Sequence, residues 1–233
     1  GDKVLAPGPH YPPYMAYPPL FDGKVIEYRL KSEDGWKIDF DDLESKLDDR
    51  VKLLTVVNPN NPTGGIASES DLIRLIEVAS KAPLCTVLSD EIYDGYNFSD
   101  SHISTASLSE TLPVITLNGV SKVFYAPGWR VGYMAFHDPE GRLSQVRDGV
   151  ERLLRSRLCA STPAQYGFLA GLTGPRDWMD EYRQKLLEQR DYCVTRINDI
   201  DGMETETPDG AFYMFPKLTR EKWAKDDKQF VLD

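Results

Sequence analysis

PVITLNGVSKVFYAPGWRVGYMAF, residues 113 to 136, reads as two strands joined by a polar turn, and the turn carries Lys122 and, eight residues on, Arg130. The connection between PVITL (113 to 117) and RVGYMAF (130 to 136) is short and has no helical apolar period. The second strand is therefore expected to run antiparallel to the first. A lysine at the end of a buried strand can be desolvated, lose its proton and attack a carbonyl. An arginine's rigid fork grips phosphate in bidentate fashion. Together they suit a phosphorylated aldehyde.

Outward from this stretch, strand and helix alternate. LLTVV (53 to 57) leads into NPNNPTG (58 to 64), and a helix begins near Ser68 with Leu72, Leu75, Ile76 and Ala79 on one face. CTVL (85 to 88) runs into SDEIYDGY, and a Ser-rich connection reaches PVITL. This order predicts an α/β fold, a mainly parallel sheet with one antiparallel strand, sandwiched by helices. The stretch 141 to 158 carries Leu143, Val146, Val150, Leu153, Leu154 and Leu158 on one stripe, which predicts a helix packed on a sheet face. A longer amphipathic helix, from about Arg176 to Asn198, carries Met179, Tyr182, Leu186, Val194 and Ile197. It is expected to lead from a large domain, residues 1 to 180, into the start of a small α+β domain, residues 181 to 233, where TPDGAFYMFPKL follows.

The 233 residues carry a formal net charge of −10, with a pI near 4.9. Nucleic acid and anionic membrane are thus not expected partners, since either asks for a basic face. Cys85, Cys159 and Cys193 are odd in number, far apart and without a CxxC pair, the usage expected of cytoplasmic thiols. His10, His102 and His137 are scattered, which gives no support to a metal site or a histidine-based triad. No apolar run approaches membrane-spanning length. The start, GDKVLAPGPHYPPY, has no methionine and no export or transit composition, and KQFVLD ends within a helical pattern. The chain is expected to be part of a longer cytoplasmic protein, truncated at both ends.

The candidate site is assembled from the strand ends. In NPNNPTG two prolines fix φ and hold the asparagine amides in a rigid turn. Asn61 is placed to donate to a phenolate-like oxygen, although a well-made loop needs the same residues. Asp90 and Tyr93, three apart after CTVL, face one space if the chain turns there. The acid either caps that turn or pairs with a pyridinium nitrogen and keeps it protonated, with the tyrosine hydroxyl on the ring oxygen. Most lysines are solvated surface charges. Asn61, Asp90 and Lys122, however, each follow the carboxyl end of a successive strand, and such ends converge on the ligand crevice of an open α/β sheet. Tyr11, in HYPPY, is either a core aromatic or a stacking partner for a flat ring.

NPNNPTG, SDEIY and SKVFYAPGWRVGY occur in the order and spacing of class I and II, fold-type I, pyridoxal-phosphate aminotransferases, and the resemblance spans nearly the whole chain. LNGVSK, RLCASTPAQ, INDI and GAFYMFPKL resemble the alanine aminotransferase branch. The resemblance implies that Lys122 joins covalently to pyridoxal 5'-phosphate and later moves the proton at the substrate's Cα. It implies that Asp90 holds the pyridine nitrogen, Asn61 and Tyr93 bond the phenolic oxygen, Arg130 binds phosphate and Tyr11 stacks on the ring. It further implies a homodimer that transfers an amino group between an amino acid, alanine or glutamate first, and a 2-oxo acid.

The chain departs from the family pattern in places. The position three before the lysine, often a phosphate-binding serine, is Gly119, which leaves Ser121 as the nearby hydroxyl. Tyr125 stands where a small residue is usual. Members also carry a glycine-containing phosphate segment ahead of the GDKVL position and a substrate-carboxylate arginine well after FPKL; Arg220 does not sit in that motif. The competing readings are other chemistry on the same cofactor, such as a C–S lyase, a non-catalytic ligand-sensing domain, and a fragment without activity.

Overall fold

The computed structural model describes residues 1–98 and 101–232. Positions 99 and 100 of the Ser-rich connection and the last residue of KQFVLD lie outside the described residues. In chain order the elements are β1 (Lys3–Gly8), α1 (Pro13–Ala16), β2 (Lys24–Lys31), β3 (Lys37–Ile38), α2 (Phe40–Ser45), β4 (Val51–Val57), α3 (Glu69–Ala79), β5 (Thr86–Asp90) and β6 (Val114–Gly119). They continue with β7 (Gly132–His137), α4 (Ser144–Arg157), α5 (Thr162–Thr173), α6 (Asp177–Asn198), β8 (Met203–Glu204), β9 (Lys217–Leu218), α7 (Glu221–Ala224) and α8 (Asp227–Leu232).

One seven-stranded sheet has the order β3-β2-β1-β4-β5-β6-β7, and β8 and β9 form a separate two-stranded sheet. β2, β1, β4, β5 and β6 run parallel. β7 pairs antiparallel to β6, as the short connection requires, with Gly119 opposite Gly132. The two-residue β3 adds a further antiparallel edge beside β2. The chain first steps from β1 outward to β2, then returns to the other side of β1 with β4. That reversal is a topological switch point, where strand ends open a crevice.

The interior lies between this sheet and α3. Leu5, Leu54, Leu72, Leu75, Val87 and Val114 are fully buried in one cluster, and each contributes about 1.5 to 3 kcal/mol of apolar transfer. Helix α3 starts where the sequence places it: Ser68 accepts from Asp71 N while the Asp71 carboxylate accepts from Ser68 N. This reciprocal box satisfies backbone donors that the first turn leaves open.

The stripe at 141 to 158 behaves differently from its expectation. The helix exists as α4, but Leu153, Leu154 and Leu158 are 72%, 56% and 83% exposed, and only Leu143, at its amino-terminal cap, is buried. β7 is itself an open edge strand, with Tyr133 and Met134 exposed. An open groove of about 690 Å³, lined by Met134, Phe136, Val150 and Leu154, separates strand from helix. Helical periodicity identifies an apolar face without identifying what covers it.

Candidate active site

The loops leaving β1, β4, β5 and β6 are neighbours because those strands are adjacent in the sheet. A cavity of about 340 Å³ opens among them, lined by Tyr11, Asn61, Asp90, Tyr93, Ser121, Lys122 and Arg130, together with Asn118 and Tyr213. Its size falls within the usual range for small-ligand and cofactor sites.

The NPNNPTG loop is held by its own side chains. Asn58 donates through Nδ2 to Ala67 O at 3.3 Å and accepts from Ala67 N at 3.0 Å. Asn60 accepts from the Thr63 hydroxyl at 2.9 Å. With Asn58 and Asn60 buried in these bonds, Asn61 is the asparagine free to reach the cavity. Its Nδ2 donates to Tyr93 Oη at 3.3 Å and Tyr213 Oη at 3.4 Å.

Past β5 the chain makes the turn that the spacing of Asp90 and Tyr93 requires. Asp94 N donates to Glu91 O at 3.0 Å, and Tyr93 has φ −106° and ψ 18°, in the bridge region. Burial pushes the Asp90 carboxyl above its ordinary range, opposed by donors from Tyr14 and Ile92 N. Burial and the hydrogen bond shared with the Tyr213 hydroxyl likewise push the Tyr93 hydroxyl up. It therefore stays protonated and able to donate. Beneath the turn, Glu91 accepts from Ser89 Oγ at 2.8 Å, Ser104 Oγ at 3.0 Å and Thr105 N at 3.1 Å, with His102 Nε2 at 3.1 Å. Burial alone would raise Glu91, but these donors hold it below the usual carboxylate range.

Lys122 follows β6 in a turn closed by Tyr125 N on Lys122 O at 3.0 Å, and Tyr96 Oη also donates to that carbonyl at 3.0 Å. Its Nζ lies 5.8 Å from the ring centroids of both Tyr93 and Phe212, so aromatic faces flank the amine. Arg130 is exposed, takes a left-handed conformation, and donates through Nη1 to Pro127 O at 2.7 Å. Gly119 has a steric cause: a Cβ there would meet Val131 O at 2.7 Å and Gly132 Cα at 2.9 Å. Tyr125, at φ 52°, packs against Tyr182 of α6 with ring centroids 4.5 Å apart and planes tilted by 46°, so the unusual residue ties the lysine turn to that helix.

Besides Asn118 in the cavity lining, Tyr14 and Tyr213 join the site without a motif to announce them. Tyr14 donates to Asp90 Oδ2 at 2.5 Å; it stands three residues after Tyr11 in HYPPY, the one signal available. Tyr213 lies 2.6 Å from Tyr93, hydroxyl to hydroxyl. It arrives because Asp209 N and Gly210 N donate to Gly64 O at 3.1 and 2.9 Å, while Ala211 N donates to Tyr96 O at 2.8 Å. Gly64 has φ 72°, and a Cβ there would approach Pro208 Cβ to 2.5 Å. The seam therefore needs glycine for both conformation and closeness.

The sequence matches the Aminotransferase class I and II family over residues 1–232. It is 40% identical to the alanine aminotransferase of Mycobacterium tuberculosis (strain ATCC 25618 / H37Rv) over 237 residues, covering all of this chain and 55% of that protein. It is 36% identical to the glutamate-pyruvate aminotransferase AlaA of Escherichia coli (strain K12), of which it covers 58%. The solved alanine aminotransferase of Pyrococcus furiosus superposes with a TM-score of 0.95 at 49% identity, over all of this chain and 58% of that one. The chain thus spans little more than half the length of these relatives. With the signature loops gathered at one sheet edge and the match running from the first residue almost to the last, this chain belongs to the class I and II aminotransferase family.

Proposed function

We propose that this chain carries the pyridoxal-phosphate site of an aminotransferase that moves an amino group between an amino acid, alanine or glutamate first, and a 2-oxo acid. The observation that carries this reading is the convergence of Lys122, Asp90, Arg130 and the Asn61–Tyr93 pair on one cavity at the carboxyl ends of β4, β5 and β6. The donor set fits the cofactor group by group. Asp90, an acid with little solvent, suits a cationic ring nitrogen. Asn61 and a protonated Tyr93 suit a phenolic oxygen, and Arg130 with Ser121 suits phosphate. When bound, pyridoxal phosphate supplies an aldehyde for the amino group and a protonated ring that accepts electron density from the substrate's Cα.

The protein's own part is positioning and proton transfer. Lys122 Nζ is the amine that would hold the cofactor and, once a substrate amino group has taken its place, the base that would take the proton from the substrate Cα and return one in the reverse half-reaction. Asp90 would hold a positive charge at the ring nitrogen. Tyr93 and Asn61 would donate to the ring oxygen. Tyr11, on the first loop, lines the same cavity and would pack on the ring. The homologous whole proteins are longer, so we assign the full reaction, a homodimeric assembly and a cytoplasmic location to the whole protein, with residues 181–233 beginning its second domain. Among the described residues no helix is long and apolar enough to cross a membrane.

The test is a visible spectrum with added pyridoxal phosphate, followed by borohydride reduction and peptide mapping. A yellow species trapped at Lys122 and absent from Lys122→Ala is the expected result. Equal labelling of many lysines, or none, overturns the assignment. Exchange of label between alanine and pyruvate then reads the substrate class.

A further inference from the structure

We propose that Tyr14 is a positioning residue of this site: its hydroxyl, in place of solvent, anchors Asp90 and sets how firmly that acid holds a cationic ring nitrogen. The inference rests on the reading of the cavity as a pyridoxal-phosphate site, and it concerns a residue of α1 that the signature motifs do not include.

The geometry is specific. Tyr14 Oη donates to Asp90 Oδ2 at 2.5 Å, and Ile92 N donates to Oδ1 at 3.2 Å. One donor sits on each oxygen, which fixes the plane of the carboxylate. An ionised carboxyl has about four lone-pair positions, so capacity remains for a further donor from a ring. Tyr14 also meets Tyr11 edge to face, with centroids 6.0 Å apart and planes at 73°. HYPPY thus supplies both the aromatic that lines the cavity and the anchor of its acid.

Charge makes that anchor matter. Glu91, next in the chain, repels a negative Asp90; Lys122, from the turn after β6, attracts it; and Tyr93 lies on the same turn. A largely buried carboxylate has lost most of its water, and a phenol at short range is the neutral group that replaces it without adding a competing cation. A lysine or arginine in this position would neutralise the acid and deprive the ring nitrogen of its partner. A tyrosine keeps the acid charged and available.

The experiment labels aspartate side chains with carbon-13 and follows the Asp90 carboxyl by NMR across pH in the full chain without added cofactor. Asp90→Asn identifies the resonance. Tyr14→Phe is expected to raise the Asp90 titration midpoint by about one pH unit or more. Pyridoxal phosphate binding, read by absorbance, is expected to weaken about tenfold. Tyr14→Gln restores a donor without the ring and is expected to bring the midpoint back toward the unmodified protein. A midpoint unchanged in Tyr14→Phe, or one that follows loss of the ring and not of the donor, overturns the proposal. The NMR titration judges Tyr14 independently of the cofactor, whereas failure of the unmodified protein to label at Lys122 overturns the cofactor reading instead.

Discussion

Gly119 shows what one residue's surroundings decide. The family pattern often places a phosphate-binding serine there, and from sequence the glycine registers as a lost hydroxyl. In the fold, Gly119 faces Gly132 across the β6–β7 pair, and a Cβ would meet Val131 O at 2.7 Å. Backbone is not free to retreat as the tip of a side chain is. Gly119→Ser is therefore expected to lower stability by about 1 to 3 kcal/mol, without tightening cofactor binding. Urea denaturation and a pyridoxal-phosphate titration check both parts, and a serine variant as stable as the unmodified protein would sink the steric account. The same scale marks the limit of motif reading. Asn61, Asp90, Tyr93, Ser121, Lys122 and Arg130 are legible because each sits in a short segment whose spacing has a chemical meaning. Tyr213 lies 152 positions from its partner Asn61, and no local pattern announces that pairing.

At the scale of elements, the turn after β5 carries the acid and the tyrosine, and its rigidity comes from below. Glu91 is buried and gathers donors from Ser89, Ser104, Thr105 and His102, so residues 102 to 105 are tied to the turn that aims Asp90. Its folded-state value lies below the ordinary glutamate value of 4.5. The sign follows: the stability it contributes is present in full above that ordinary value and is lost as pH falls through the depressed folded value. Urea unfolding from pH 7 down to acid should show this limb in the unmodified protein. Glu91→Gln should lose about 1.5 to 3 kcal/mol at neutral pH, with much less further loss on acidification. Parallel pH profiles for the two proteins would refute a stabilising role for the ionised Glu91. Element existence and direction are legible here, down to the Ser68 cap and the antiparallel β7. The bonds between the turn and residues 102 to 105 are not, since serine and threonine partners are chosen by proximity in space.

Across the whole molecule, stability is expected to be uneven. Leu75 is fully buried between α3 and the sheet, whereas Leu153, on the apolar stripe of α4, is 72% exposed. Leu75→Ala is expected to cost about 2 to 5 kcal/mol and Leu153→Ala to stay within about 0.5 kcal/mol. Chemical denaturation of the two variants checks the pair, and comparable losses would mean that α4 is packed after all. By itself the sequence determined the α/β class, the order of elements, the sense of β7 and the residues that suit a phosphorylated aldehyde. These follow from periodicity, turn chemistry and side-chain type, which are local properties of a chain. Only the tertiary structure decided that this chain's own sheet leaves the apolar stripe of α4 uncovered, that a side chain at Gly119 would meet backbone, and that Tyr14 and Tyr213 join the candidate site. Each of these depends on what a residue meets after the strands have been ordered side by side, and neighbours in a sheet are not neighbours in sequence.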